Sequence, residues 1–235
     1  MLNNNLSQEV SFGEFKGNKC DENQLISGIL SSVIGEYIIE PFLDVGSGLG
    51  DIPRNALKDL SGYLVDIEHV DEKLINTNHT WVVSDFFELS KDDFPRIKTI
   101  LFCHSLQYLD ENIEKLKCKL VEFSPLHIID VVNINAGNFE KACVIIESEL
   151  ESINKEVAIN DYVPNNYSLV LKVPFTAKLS CETFEELVHI LAYFILDSKN
   201  PVKNLPATIR KLKSLLVKPE LEIQQNVRFY SQNLD

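Results

Sequence analysis

Hydrophobic positions along this chain alternate between two periods, and the alternation itself outlines an architecture. From Glu22 to Ile39 the apolar residues Leu25, Ile26, Ile29, Leu30, Val33, Ile34, Tyr37 and Ile38 recur at helical spacing, which predicts an amphipathic helix. Short apolar runs follow at Phe42–Val45, Gly62–Glu68, Trp81–Phe87 and from Thr99 into a loop ending near Leu109, and each has the length of a buried parallel strand. Helical or turn-like segments separate them: Pro53–Leu60, Val70–Asn76 and the polar, Pro-broken stretch Leu89–Arg96. Glu111–Val121 predicts a helix, His127–Asn133 a fifth strand and Asn138–Ile153 another helix.

From Tyr167 the period changes to two. Ser168–Leu179 reads as a long strand that Pro174 bends or moves to an edge. Two apolar helices, Glu182–Leu196 and Leu205–Leu216, then precede a last strand at Glu220–Tyr230. Strand and helix alternating in this way predict an α/β sheet with helices on both faces, and the late helices form a cap inserted at about 182–216. Residues 1–21 lack periodicity and are expected to be a mobile arm or a lid, leaving 22–235 as a single domain.

The strongest local signal lies where the first strand ends. Asp44-Val45-Gly46-Ser47-Gly48-Leu49-Gly50-Asp51 puts three glycines at alternate positions between a strand and a helix. Residues without a Cβ can take positive φ and let a ligand approach the backbone. The spacing excludes two nucleotide motifs. A dinucleotide fingerprint would need its third glycine at position 51, which is Asp51, and no Gly-Lys-Ser/Thr ending of a P-loop is present. The Asp-x-Gly-x-Gly-x-Gly pattern resembles the first motif of class I S-adenosylmethionine (SAM)-dependent methyltransferases.

Three later strand ends fit that resemblance. Asp66, followed by Ile67 and with Glu68 as its competitor, stands where the family has an acid for the ribose hydroxyls. Ser84-Asp85-Phe86 stands where the family often has an acid for the adenine amino group beside an aromatic. Cys103 and His104 open the segment that commonly lies near the sulfonium. The resemblance therefore implies a Rossmann-like sheet of seven mostly parallel strands with an antiparallel last strand. It implies SAM as cofactor and S-adenosylhomocysteine as product, held by Asp44, Gly46, Ser47, Gly48, Gly50, Asp66, Ile67, Ser84, Asp85, Phe86, Cys103 and His104. His104 and Tyr108 are the candidate catalytic residues, as a base or as substrate hydrogen-bonding groups, with Gln107 weaker; a packing role is the alternative for each. The two helices before the last strand look like the insertion that walls the substrate pocket in small-molecule methyltransferases such as histamine N-methyltransferase. Substituting Gly46 or Gly48 by valine is expected to abolish cofactor binding and leave the fold largely intact.

Composition narrows the acceptor. The chain has 235 residues and a formal charge of −13, and no Lys/Arg run is dense enough to track a phosphate backbone, so a nucleic-acid substrate is disfavoured and a small molecule expected. Five cysteines form no C-x-x-C pair, and the first twenty residues lack a secretory pattern, which points to a reducing cytoplasmic location. The longest apolar run, around His189–Leu196, is too short to cross a membrane, and a monomer or homodimer is expected. Asp130 and Asn133 resemble the ligands of magnesium-dependent catechol methyltransferases, but Asp130 falls inside its strand, so no metal is expected. His69, His79, His127 and His189 have no ligand spacing. A SAM enzyme of non-methylating type (cyclase, decarboxylase or aminopropyl transfer) and an inactive scaffold with the same fold are the competing readings.

Overall fold

The computed structural model describes residues 19–68, 77–106, 109, 113–134, 136–150, 162–192 and 202–233. The expected helix at Val70–Asn76, the arm before residue 19, Gln107 and Tyr108 lie outside the described residues. Seven strands form one sheet: β1 (Phe42–Val45), β2 (Gly62–Asp66), β3 (His79–Val83), β4 (Thr99–Cys103), β5 (His127–Ile134), β6 (Tyr167–Ser180) and β7 (Glu220–Gln232). Their order is β3-β2-β1-β4-β5-β7-β6. The first five run parallel, with Phe42 level with both Gly62 and Thr99, and Thr99 level with His127. β7 runs the other way. Gln232 at its end donates to Leu126 before β5, and Asn233 donates to Asn166 before β6.

Helices among the described residues are α1 (Glu22–Ser32), α2 (Asp51–Ala56), α3 (Ile113–Phe123), α4 (Gly137–Glu147), α5 (Phe184–Ile190) and α6 (Leu205–Leu215). The fold is a Rossmann-like α/β sheet of seven mostly parallel strands. Several boundaries differ from the periodicity for identifiable reasons. α1 ends at Ser32 rather than Ile39, ahead of a turn in which Gly35 has a φ of +85°. α2 starts two residues earlier than expected because Gly50, at φ +68°, leads into it, and Pro53 sits in the first turn, where a missing N–H costs nothing. β3 stops at Val83 because Asp85 accepts the Phe87 N–H at 2.8 Å and winds Phe86–Glu88 into a 3₁₀ turn.

The described residues fall into two compact units. One is drawn from Asn23–Val132, Val157–Phe175 and Gln225–Asp235, the other from Met1–Glu22, Asn133–Glu156 and Thr176–Gln224. In the first, alternate residues of each strand feed opposite faces of the sheet. Leu43, Val45, Ile100, Phe102 and Ile128 pack with Leu116 and Leu120 of α3. Phe42, Leu64, Leu101 and Ile129 pack with Ile26 and Leu30 of α1 and with Ile52 and Ala56 of α2.

The second unit has its own core, in which Phe139, Ala142 and Ile146 of α4 meet Leu187 and Val188 of α5 and Leu212 of α6. This unit is larger than the pair of inserted helices, since it also takes in α4 and the ends Leu179, Leu221 and Ile223 of β6 and β7. Thr183 caps α5 by accepting the Glu186 N–H, and Asn204 caps α6 by accepting the Ala207 N–H.

Candidate active site

Strand order reverses between β1 and β4, so the connections leaving their carboxyl ends diverge and open a crevice at the edge of the sheet. The glycine loop lies there. Gly46, Gly48 and Gly50 all adopt left-handed backbone, at φ +68°, +56° and +68°, which a residue with a Cβ takes at a cost of about 1–2 kcal/mol. The amides of Gly46 and Ser47 both donate to the Val65 carbonyl, at 2.8 and 3.1 Å, and tie the loop to β2. The glycines differ in what surrounds them. A Cβ on Gly46 would lie 2.4 Å from the Cβ of Ser105, whereas one on Gly48 would meet nothing within 4 Å. This corrects the expectation that the two positions are equivalent probes: Gly46 is required by packing against the loop after β4, and of the two only Gly48 faces open space.

Beneath the loop, Asp44 is 2% exposed. Its Oδ1 has no hydrogen-bond partner among the described residues. Burial pushes its carboxyl up to about 7; hydrogen bonding by the Ser47 side chain offsets part of that, and the charge of Asp66 adds to it. The Ser47 hydroxyl also donates to the main-chain carbonyl of Asp44 at 2.8 Å. A positive charge brought against the unpartnered oxygen would both fill the missing contact and favour ionisation of this carboxyl.

The acid at the tip of β2 is built into the same loop. Asp66 Oδ2 accepts the Gly48 N–H at 2.8 Å and Oδ1 accepts the Glu68 N–H at 3.1 Å. Asp66, rather than Glu68, therefore sets its carboxylate against the glycine loop, and with two amides bound it retains lone pairs for further donors. Ile67, next in the chain, is 74% exposed. At the end of β3, Ser84 is half-buried and Asp85 exposed, with one Asp85 oxygen on the Phe87 amide. Phe86 does not present a ring to the crevice as expected. It is 3% exposed, stacked on Phe123 and edge-on to Phe102, because the 3₁₀ turn directs it into the apolar core.

At the end of β4, Cys103 is half-buried and His104 has a φ of +61°, a conformation that costs a non-glycine residue energy and persists only where neighbours enforce it. Ser105 follows, buried against Gly46, and its Oγ has no hydrogen-bond partner among the described residues. Ser105 was not legible from sequence. Its only signal is its place two residues past a strand that borders the crevice.

Asp130 is fully buried on β5. Arg228 of β7 grips it with Nε on Oδ1 at 2.8 Å and Nη2 on Oδ2 at 2.6 Å, and the Tyr162 hydroxyl donates to Oδ2 at 2.6 Å. Burial raises the Asp130 carboxyl and Arg228 opposes that rise, while Tyr162 is held well above its usual value by burial and by Asp130. Asp130 is thus the counter-ion of an arginine, and among the described residues no three His, Cys, Asp or Glu side chains converge to hold a metal. The Nε2 of His79 lies 3.1 Å from the Leu57 carbonyl and the Nδ1 of His127 lies 2.9 Å from the Ser231 hydroxyl. His69 lies outside the described residues, and His189 lies in the last turn of α5. No helix among the described residues is long and apolar enough to cross a membrane.

No protein-family profile matches this sequence, and no curated protein matches it. Solved structures do. YcgJ of Bacillus subtilis superposes with a TM-score of 0.57 at 9% identity over 90% of this chain and all of that one. Magnesium protoporphyrin IX methyltransferase (ChlM) of Synechocystis PCC 6803, solved with bound S-adenosylhomocysteine, gives 0.51 at 10% identity, covering 90% of this chain and 83% of its own. The [4+2]-cyclase SpnF gives 0.52 at 12% identity, covering 91% and 81%. The fold is that of the class I SAM-dependent methyltransferases.

Proposed function

We propose that this protein is a SAM-dependent methyltransferase that transfers a methyl group to nitrogen or oxygen of a small molecule. The observation that carries this reading is the buried Asp44 carboxyl, with an unpartnered oxygen, lying under three left-handed glycines beside the Asp66 carboxylate. The chemistry of that set fits SAM. Asp44 would receive the cationic amino-acid end, the open space at Gly48 would admit the backbone-level approach of the ligand, and Asp66 would accept the ribose hydroxyls. Ile67 and Asp85 would border the adenine, as an apolar contact and an acceptor for its amino group.

SAM supplies an electrophilic methyl on a sulfonium that leaves as a neutral thioether, so this chain's task is to align the acceptor and exclude water. His104, in left-handed backbone at the end of β4, is the residue we assign to orient the acceptor or take its proton, with Tyr108 a weaker candidate of the same kind. The net charge of −13 favours a small acceptor over a nucleic acid, and the cysteine usage favours the cytoplasm. A monomer or homodimer is the oligomeric state we propose.

The test is titration calorimetry with SAM and S-adenosylhomocysteine, followed by incubation of labelled-methyl SAM with a metabolite extract. Binding of both compounds, weakened by about 1–3 kcal/mol in Asp66→Ala, and a labelled small product are expected. Absence of heat with either compound sinks the reading. SpnF, a cyclase on the same fold, is the specific observation behind a second reading, in which SAM is held but no methyl is transferred. Binding without a labelled product would favour it.

A further inference from the structure

Arg228 has more hydrogen-bonding capacity than the structure uses. A guanidinium carries five N–H groups in a planar fork. Here the side edge, Nε and Nη2, is committed to Asp130. That leaves the end edge, one N–H from each of Nη1 and Nη2, lying parallel, with no partner among the described residues. Asp130 is 0% exposed and the Arg228 side chain 12%, so solvent reaches this cluster through the arginine.

Stability alone does not account for the cluster. A buried ion pair barely repays its desolvation, and apolar residues of similar volume commonly serve as well. Its position lies beside the crevice strand: Asp130 is level with Phe102, one residue before β4 ends and turns into His104. Asp130, itself held by the Tyr162 hydroxyl, fixes the guanidinium plane, and the Tyr230 ring lies 5.7 Å from its carbon. An arginine whose orientation is already fixed binds an anion without a further ordering cost.

We propose that the free end edge of Arg228 binds a carboxylate of the acceptor, so that the molecule methylated is an organic acid. The match is geometric, since two parallel N–H groups meet the two oxygens of a carboxylate. Asp130 cancels the guanidinium charge within the cluster, so hydrogen-bond direction, more than net charge, makes the selection. A neutral amide of the same shape would place an NH₂ against one of the two donors. This proposal deepens the methyltransferase reading and rests on it for the meaning of the subsite, while its test does not depend on turnover.

The test is nuclear magnetic resonance on the full chain, labelled at arginine and backbone nitrogen, titrated with acetate and benzoate and in parallel with acetamide and benzamide. Saturable shifts of the Arg228 guanidinium and of neighbouring β7 amides are expected with the acids and not with the amides. In Arg228→Lys, which keeps a counter-charge for Asp130 and so protects the fold, the amide shifts should need about tenfold more acid. Absence of a saturable acid shift in the native chain overturns the proposal, and so does an equal response to the amides or an unchanged affinity in the lysine variant. SAM calorimetry on the same sample separates the two readings: lost SAM binding removes the methyltransferase assignment, while the acid titration alone decides the subsite.

Discussion

Replacing Asp44 by asparagine should make the ligand-free protein respond less steeply to pH, and the size of the effect follows from its burial. In the unfolded chain this carboxyl titrates at its ordinary 3.8; in the fold it is pushed up to about 7. Below the lower value it is neutral in both states and costs nothing. As pH rises between the two values the unfolded state ionises and the folded state does not, so stability is lost, and above the higher value the loss levels off. A difference of about three units corresponds to about 4 kcal/mol in full, of which about 2.5 kcal/mol falls between about pH 5 and about pH 8.

Asparagine does not titrate, and the variant shares every other group, so the stability difference, variant minus native, should grow by that 2.5 kcal/mol across the interval. Urea unfolding at a series of pH values measures it. The same variant should lose SAM binding, because an amide cannot supply the negative charge proposed to meet the cofactor's cationic end. A difference that stays constant with pH would show that Asp44 is already ionised in the fold, and the argument for a cation receptor would fail with it.

Other perturbations separate packing from ligand contact. Gly46→Ala should destabilise the fold by more than Gly48→Ala, by about 1–3 kcal/mol in urea unfolding, because only the former adds a contact with Ser105 to the cost of left-handed backbone. Gly48→Ala should instead weaken SAM binding with a loss of stability of about 1–2 kcal/mol. Arg228→Met should cost about 3–5 kcal/mol by leaving Asp130 buried without its cation, and the triple variant Asp130→Leu/Tyr162→Phe/Arg228→Met, which also removes the hydroxyl that donates to Asp130, should recover most of that loss; a triple variant no more stable than the single would mean the cluster is needed for the fold itself.

The contrast between Asp66 and Phe86 shows what sequence could and could not disclose at this crevice. Both end a predicted strand and both fit a motif. The residue at the tip of β2 follows its strand, so its place beside the loop could be read from spacing alone, and its carboxylate does meet the glycine loop. Phe86 lies three residues past β3, and its direction depends on a local competition that apolar periodicity does not register: the Asp85 side chain captures the Phe87 amide and rotates the next ring into the core. Arg228 was hidden for a different reason. In an alternating strand a single charged residue reads as solvent-facing, and only the sheet order, which brings β7 beside β5 although some ninety residues separate them in sequence, supplies the buried carboxylate that reverses that reading. Local pattern therefore sufficed where a side chain follows its own strand, and failed where its partner arrives through topology. That is also why the half of the crevice proposed for the cofactor, assembled from consecutive strand ends, could be outlined from sequence, whereas the arginine proposed to select the acceptor could not.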